Sequence, residues 1–208
     1  MSIASYTDLV TAIQNWSSRS DLASVVPDFI VLAETIFNHG DGKPDDAAYI
    51  APLRTREMET TDPLTVSSGS ASLPDDFLEP KRVYTSTSEL TYAPSTWYQA
   101  NFPSGQSTDP TYYTILGSAL YTGTSVTLDY YAKIGPLAND DGGTNWLLQK
   151  SPNAYLHGGL YFLYVYMKNA ERAMGHRALM VSAMAAVSGS DGGSRAVLPQ
   201  RRSSMVAF

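Results

Sequence analysis

The sequence predicts an α+β fold: a helical bundle of N- and C-terminal helices with an inserted antiparallel β region and an extended C-terminal arm. Apolar residues recur with the period of an amphipathic helix in residues 5–38 and again in residues 144–187. Short β-branched and aromatic runs, separated by turn residues, occupy about residues 60–135. Residues 188–208 show neither pattern, so we expect one domain at 1–187 followed by a tail.

Caps and apolar faces indicate the two N-terminal helices. Ser5, followed three residues later by Asp8, forms a capping-box-like pattern at the start of the first helix. Pro27 suits the first turn of the second helix, where a missing N–H has no intrahelical partner to lose. That helix should end at the loop "NHGDGKPDD". The residues expected to face inward are Tyr6, Leu9, Val10, Ile13, Trp16, Phe29, Ile30, Ala33, Ile36 and Phe37.

The middle of the chain is predicted to be a meander-like antiparallel β region. Its candidate strands are the runs "PLTVSS", "KRVYTST", "TYYTIL" and "SVTLDYYAKI". The Pro-bounded segment "LPDDFLEP" suggests a single helical turn between two of the strands, and "APSTWYQANF" suggests a short helix on the sheet.

The most apolar and aromatic part of the chain, "NAYLHGGLYFLYVYMKN", predicts a buried helix. It is too short and too interrupted for a transmembrane helix, which needs roughly 20 mostly apolar residues. A helix that is apolar around most of its surface is buried on more than one side. The adjacent glycines predict a close approach of another backbone, since each weakens a helix by about 1 kcal/mol. We therefore expect core or subunit packing for Gly158, Gly159, Leu160 and Phe162.

Composition narrows the classes of function. The formal net charge is −6, which makes the chain a poor candidate for wrapping nucleic acid. Charged residues make up only 16% of the chain, against the usual quarter, so part of the surface is expected to be covered by partners. The absence of cysteine excludes disulfides and thiolate metal sites. The first ten residues lack the basic and apolar segments of a signal peptide.

No pattern in the sequence predicts catalysis. The histidines His39, His157 and His176 do not have the spacing of metal ligands, and the sequence contains no nucleophile-elbow or phosphate-loop motif. The acidic clusters in "GDGKPDD", "NDDGG" and "LPDDFLEP" are explained most simply as turns. We expect no metal, no cofactor and no enzymatic activity. One alternative stays open, because Tyr92, Trp97, Tyr98, Tyr112 and Tyr113 would also suit stacking on sugars.

The C-terminal tail contains a segment typical of a flexible linker, followed by residues suited to binding a partner. "SGSDGGS" has the composition of a flexible linker. The basic and apolar residues beyond it suit a partner surface, since arginine forms forked hydrogen bonds and an extended arm can add a strand to a sheet. The predicted partner-binding residues are Arg195, Val197, Leu198, Arg201, Arg202, Met205, Val206 and Phe208.

Several segments, in their order and spacing over most of residues 5–173, resemble the adaptor (head-to-tail connector) proteins of tailed bacteriophages. These segments are "SYTDLVTAIQNWSSRSDLASVVPDFIVLAETIFN", "REMETTDPLTV", "LPDDFLEPKRVY", "YYTILGSALY", "LDYYAKIGPL" and "TNWLLQKSPNAYLHGGLYFLYVYMKNAERA". The chain departs from the family pattern at residues 39–52, where "HGDGKPDDAAYIAP" separates the second helix from "LRTREMET".

The resemblance implies a structural virion protein at the head-tail junction, made in the cytoplasm of a bacterial host. Such adaptors form a homo-oligomeric ring, typically of twelve copies, below the portal protein. A C-terminal arm grips the portal, tail or neck proteins attach to the opposite face, and DNA passes through without specific binding. The competing hypothesis from the residues themselves is a carbohydrate-binding or adhesin module built on the aromatic β region.

Overall fold

The computed structural model describes residues 3–103, 111–137 and 143–195, with the backbone alone for 191–195. The chain divides into two compact units. The helical unit contains residues 1–55 and 135–208, and the β unit contains residues 56–134. The described residues form six α-helices and two β-sheets, which confirms the mixed α+β class.

The first two helices begin and end at residues suited to those positions. In α1, Tyr6–Ser17, the Ser5 side chain accepts a hydrogen bond from the backbone N–H of Asp8 at 3.2 Å, as the capping pattern predicts. In α2, Val26–His39, Pro27 occupies the first turn. Gly40 ends α2 with a φ of 74°, and a Cβ there would collide with the carbonyl oxygen of Ile50. The residues of α2 predicted to face inward are all buried.

Three further α-helices lie in the described part of the helical unit. They are α4 at Trp146–Lys150, α5 at Pro152–Tyr166 and α6 at Ala170–Arg195. Asn145 caps α4 by accepting from the N–H of Leu148 at 2.9 Å, and Pro152 opens α5 as predicted. Lys168 adopts a left-handed φ of 56° in the turn to α6.

Helix α6 extends beyond residue 187, the predicted boundary between the domain and the tail. The prediction placed the end of the domain at residue 187 and the tail at 188–208. Instead, the helix continues through Arg195. Val187 is the last of its buried apolar residues, and Ser188 to Ser190 are exposed. The segment "SGSDGGS" is therefore helical here, although its composition is typical of a linker.

The described residues of the β unit form seven strands, one α-helix and a short 3-10 helix at Arg56–Met58. Their bounds are β1 Glu59–Leu64, β2 Ser70–Ser72, β3 Phe77–Tyr84, β4 Thr91–Tyr92, α3 Ser95–Asn101, β5 Tyr112–Leu116, β6 Ala119–Tyr121 and β7 Val126–Ala132. One sheet has the order β1-β7-β3, and the other has the order β2-β6-β5-β4. Along β7, Val126, Leu128, Tyr130 and Ala132 alternate with less buried residues, as expected of a strand with one face toward a core.

Two predictions for the β unit are wrong. The region is not a meander, because β7 lies between β1 and β3, and β4 pairs in parallel with β5. "LPDDFLEP" is not a helical turn either, since residues 75–76 form a turn and β3 begins at Phe77. Pairing with β7 alone places β3, with Pro80, at the edge of its sheet, which is where proline is tolerated in strands. The short helix predicted at "APSTWYQANF" is confirmed as α3.

Candidate functional site

Helix α5 is the central element of the helical unit. It packs against α1, α2, α4 and α6. Every residue from Ala154 to Leu160 is buried, and this run is almost two helical turns long, so buried side chains lie on all sides of that part of the helix. Its low amphipathicity in the sequence therefore reflects a helix with neighbours on most sides.

The adjacent glycines of α5 lie where other helices come closest. A Cβ built on Gly158 would lie 2.7 Å from the Cβ of Ala33 on α2. A Cβ on Gly159 would lie 2.5 Å from Cδ1 of Ile13 on α1. Both distances are far shorter than a van der Waals contact. A larger residue at Gly158 would push α2 away, because the Cβ of Ala33 cannot move aside, whereas a methyl group at Gly159 would first displace the end of the Ile13 side chain. The nearest atoms belong to side chains, whereas the sequence predicted the approach of another backbone.

A buried polar network joins α2, α5 and the segment leading to α4. The carboxylate of Glu34 accepts hydrogen bonds from the N–H of Leu137 at 2.7 Å and from the hydroxyl of Tyr155 at 3.1 Å. Asn145 donates to the Tyr155 oxygen at 2.7 Å and to the carbonyl of Gly135 at 2.9 Å. Burial raises the pKa of Glu34, and burial together with the Glu34 charge raises the pKa of Tyr155. The network fixes the point at which the chain re-enters the helical unit, and its donors and acceptors satisfy one another.

Two histidines meet between α5 and α6. The Nδ1 atoms of His157 and His176 lie 3.2 Å apart, and their rings stack with centroids 5.3 Å apart. Trp16 packs edge-on against His157, and the ring of Tyr164 stacks on His176. Burial lowers the pKa of both histidines; His176 adds to the effect at His157, and Arg172 adds to it at His176. No local pattern predicts this pair, because the spacing of His157 and His176 matches no ligand motif.

A groove of about 890 Å³ opens on the surface of the helical unit. It is lined by α1, the end of α4 and the start of α5, through residues that include Ala12, Asn15, Trp16, Gln149, Asn153 and Leu156. None of the described residues that line it is charged. Trp16 is 60% exposed at its edge, although the sequence predicted an inward-facing position for it. Such a groove suits an apolar protein surface better than a charged ligand.

The family profile of the SU10 adaptor protein matches residues 4–203, which covers both units. The chain belongs to this adaptor family. Comparison with curated proteins gave no match. The family assignment confirms the resemblance seen in the order of the segments. It identifies the protein as a phage adaptor, a structural component of the virion.

The residues of the adaptor singled out from sequence fall into two sets. Of the packing set, Gly158, Gly159 and Leu160 are buried in α5, and Phe162 is half-buried with its ring against Tyr161. Of the tail set, Arg195 ends α6, and its side chain lies outside the described part of the structure. The other tail residues lie outside the described residues altogether: Val197, Leu198, Arg201, Arg202, Met205, Val206 and Phe208.

The β unit of the adaptor carries an aromatic surface. The ring of Trp97 on α3 packs 5.0 Å from that of Tyr112 and remains 42% exposed. Tyr92, more than half exposed, packs edge-on against Tyr113, and both line a shallow cavity of about 420 Å³ with Phe77. Tyr112 and Tyr113 are consecutive in β5, so the pair Trp97–Tyr112 and the pair Tyr92–Tyr113 lie on opposite faces of the sheet. Trp97 and Tyr92 each keep an exposed face.

Two acidic residues from the segments predicted to form turns make structural hydrogen bonds. Asp46 accepts from the N–H of Lys43 within the loop after α2, and Asp76 accepts from the hydroxyl of Tyr130 at 2.9 Å. Among residues 3–103, 111–137 and 143–190, no three histidine or carboxylate side chains are grouped as metal ligands. Over the described residues, no helix has both the length and the apolar character needed to span a bilayer.

Proposed function

We propose that the protein forms an oligomeric ring, of twelve copies, that joins the portal to the tail and lets DNA pass, without catalysis. The observation that carries this proposal is the adaptor family match over residues 4–203. The resemblance of the segment order to connector proteins supports the same function.

The surface of the helical unit agrees with assembly into a large particle. The uncharged groove and the exposed Trp16 are features of a surface that becomes covered. The low fraction of charged residues in the chain, 16%, also suits a surface that neighbouring subunits cover.

The net charge of −6 agrees with a ring that conducts DNA. An acidic protein repels the phosphate backbone at the ionic strength of a cell over roughly a Debye length of 8 Å. DNA therefore slides past without being held. Under this proposal the tail, with Arg195, Arg201, Arg202, Val197, Leu198, Met205, Val206 and Phe208, binds the portal, and tail or neck proteins bind the opposite face.

The decisive experiment measures the mass and symmetry of the protein alone and after mixing with its portal protein. We expect closed particles of twelve copies, at least in the presence of the portal. Analytical ultracentrifugation gives the mass and electron microscopy gives the symmetry. A protein that stays monomeric with the portal, at concentrations well above those of assembly reactions, would refute the ring.

A second function is favoured by one observation, the exposed rings of Trp97 and Tyr92 on the β unit. Aromatic faces of this kind stack on sugar rings, so the carbohydrate-binding or adhesin alternative predicts glycan binding by the isolated monomer. Glycan-array binding that is lost in Trp97→Ala would support this function. The ring proposal predicts no glycan affinity.

A further inference from the structure

A closed ring needs a head-to-tail contact between copies. Each subunit in such a ring presents two different surfaces, one to each neighbour, and the two must be complementary. If the protein forms the proposed ring, the two surfaces correspond to two sets of residues in the helical unit. The first surface is the groove between α1, α4 and α5.

The second surface is an apolar ridge on α2, which we define as Val31, Leu32 and Thr35. Val31 is 55% exposed and Leu32 is 44% exposed, which is unusual for neighbouring aliphatic residues in the middle of a helix. Thr35 lies one turn further on and is also exposed. The ridge therefore offers aliphatic contact area without a charge.

The groove and the ridge lie on different sides of the helical unit. Ala33 points at α5, because its Cβ would meet a Cβ at Gly158. Residues of an α-helix are about 100° apart, so Val31 points about 160° away from Ala33 and hence away from α5. The groove, in contrast, is lined by α5 itself through Asn153 and Leu156. This separation is what a head-to-tail contact requires, and it excludes contact of the two surfaces within one copy.

The charges of the two surfaces favour a second copy as the occupant. Copies of a chain with net charge −6 repel one another, so they associate best through patches whose carboxylates are few or meet hydrogen-bond donors. On α2, Asp28 in the first turn precedes Leu32 by one turn and so lies beside the ridge. The groove offers the amide groups of Asn15, Gln149 and Asn153, each of which can donate a hydrogen bond to a carboxylate.

We propose that the α2 ridge of one copy seats in the α1–α4–α5 groove of the next copy, and that this contact closes the ring. Val31 and Leu32 then cover the exposed face of Trp16, and Asp28 meets the amides at the edge of the groove. The contact buries apolar side chains that are exposed in the single chain, which stabilises the ring through the hydrophobic effect.

Two charge variants test the assignment. The groove variant combines Asn15→Asp with Asn153→Asp, and the ridge variant combines Val31→Glu with Leu32→Glu. All four positions are exposed, so we expect melting temperatures close to that of the wild type. Each variant retains one intact surface. A control combines Met174→Glu with Leu179→Glu, which places two charges on exposed apolar positions of α6 instead.

We expect each variant to be monomeric by sedimentation when alone and to form no ring with portal, although its tail is intact, while the control assembles as the wild type does. An equimolar mixture of the groove and ridge variants should form a particle of two chains and stop there, because only one of its two possible contacts is intact. Rings formed by either variant, or a mixture that stays monomeric, would overturn the assignment and leave the ring itself intact. A wild type that forms no ring with portal would overturn the proposed function as well.

Discussion

His157 and His176 face each other across α5 and α6 with 3.2 Å between their Nδ1 atoms. At this distance one Nδ1–H donates to the other Nδ1, so the contact is made when at least one of the rings is neutral. If both rings are protonated, two N–H groups and two positive charges oppose each other. Arg172, packed over the ring of Tyr164, adds a third positive charge nearby.

We therefore expect the protein to lose stability in mild acid. The pKa of each histidine in the folded protein lies below the ordinary value of 6.5, so the unfolded chain binds more protons near that pH. The free energy of unfolding should be constant above about pH 6.5 and fall as the pH decreases below it. Melting temperatures between pH 7.5 and 5.0 measure this effect.

The double substitution His157→Gln with His176→Gln should flatten that pH dependence. His39→Gln is the control, because His39 lies exposed at the end of α2. If the double variant loses as much stability between pH 7.5 and 5.0 as the wild type, the histidine pair is not the source of the acid sensitivity.

Substitution by alanine should have opposite effects on stability at Gly158 in α5 and at Gly175 in α6. Gly158→Ala should destabilise the fold, because the new methyl group would meet Ala33, whose short side chain cannot move aside. Gly175→Ala in α6 has nothing within 4 Å of its Cβ, so helix propensity alone should stabilise it by up to about 1 kcal/mol. Gly159→Leu should be the most damaging, since overfilling costs about 1–3 kcal/mol or more. Urea unfolding of the three variants would contradict this account if Gly158→Ala were as stable as Gly175→Ala.

Substitution by aspartate should be more damaging at Leu160, in the core of the helical unit, than at Phe162, at the boundary of that core. Leu160 is completely buried, so Leu160→Asp should abolish soluble folding through the cost of an unpaired buried charge. Phe162 is half-buried, so Phe162→Asp should be less damaging and leave some soluble protein. The soluble yield and the far-UV circular dichroism of each variant test this order. Equal behaviour of the two variants would mean that the side of α5 carrying Phe162 is covered as completely as the core.

The C-terminal tail should be needed for attachment to the portal but not for folding. Deleting residues 196–208 should leave the melting temperature unchanged, because Val187 is the last buried side chain among those of α6 that the structure describes. The truncated protein should fail to co-sediment with the portal. Arg201→Glu with Arg202→Glu in the full-length chain should weaken attachment in the same assay through charge reversal. Normal portal binding by the truncated protein would remove the tail from the attachment mechanism.

Local patterns predicted the helices of this fold better than its strand pairing. Ser5, Pro27 and Pro152 act within one helical turn, so their effect is readable from neighbouring residues. The position of β7 between β1 and β3 depends on pairing residues far apart in the chain, and no local pattern encodes it. The segment "SGSDGGS" shows the limit of composition as a guide. Its glycines and serines suggested a flexible linker, but in the structure the segment continues the long helix α6.

The candidate site was only partly predictable. The period of "NAYLHGGLYFLYVYMKN" indicated a central helix, and the glycine pair indicated close packing, but not which helices approach. The groove and the histidine pair arise where separate helices meet. The helical periodicity of α1 predicted that Trp16 would be buried, but in the structure Trp16 is exposed at the edge of the groove.

The insertion of the β unit into the helical unit sets the order in which the nascent chain can fold. Helices α1 and α2 leave the ribosome long before α5, the helix that covers their apolar faces. At about 5–20 residues per second, the chain between His39 and Tyr166 takes on the order of ten seconds to synthesise. The β unit is contiguous in sequence and can fold during that delay, whereas the first two helices wait with exposed apolar surface. Expression of this adaptor should therefore depend on chaperones that hold the N-terminal segment until translation is nearly complete.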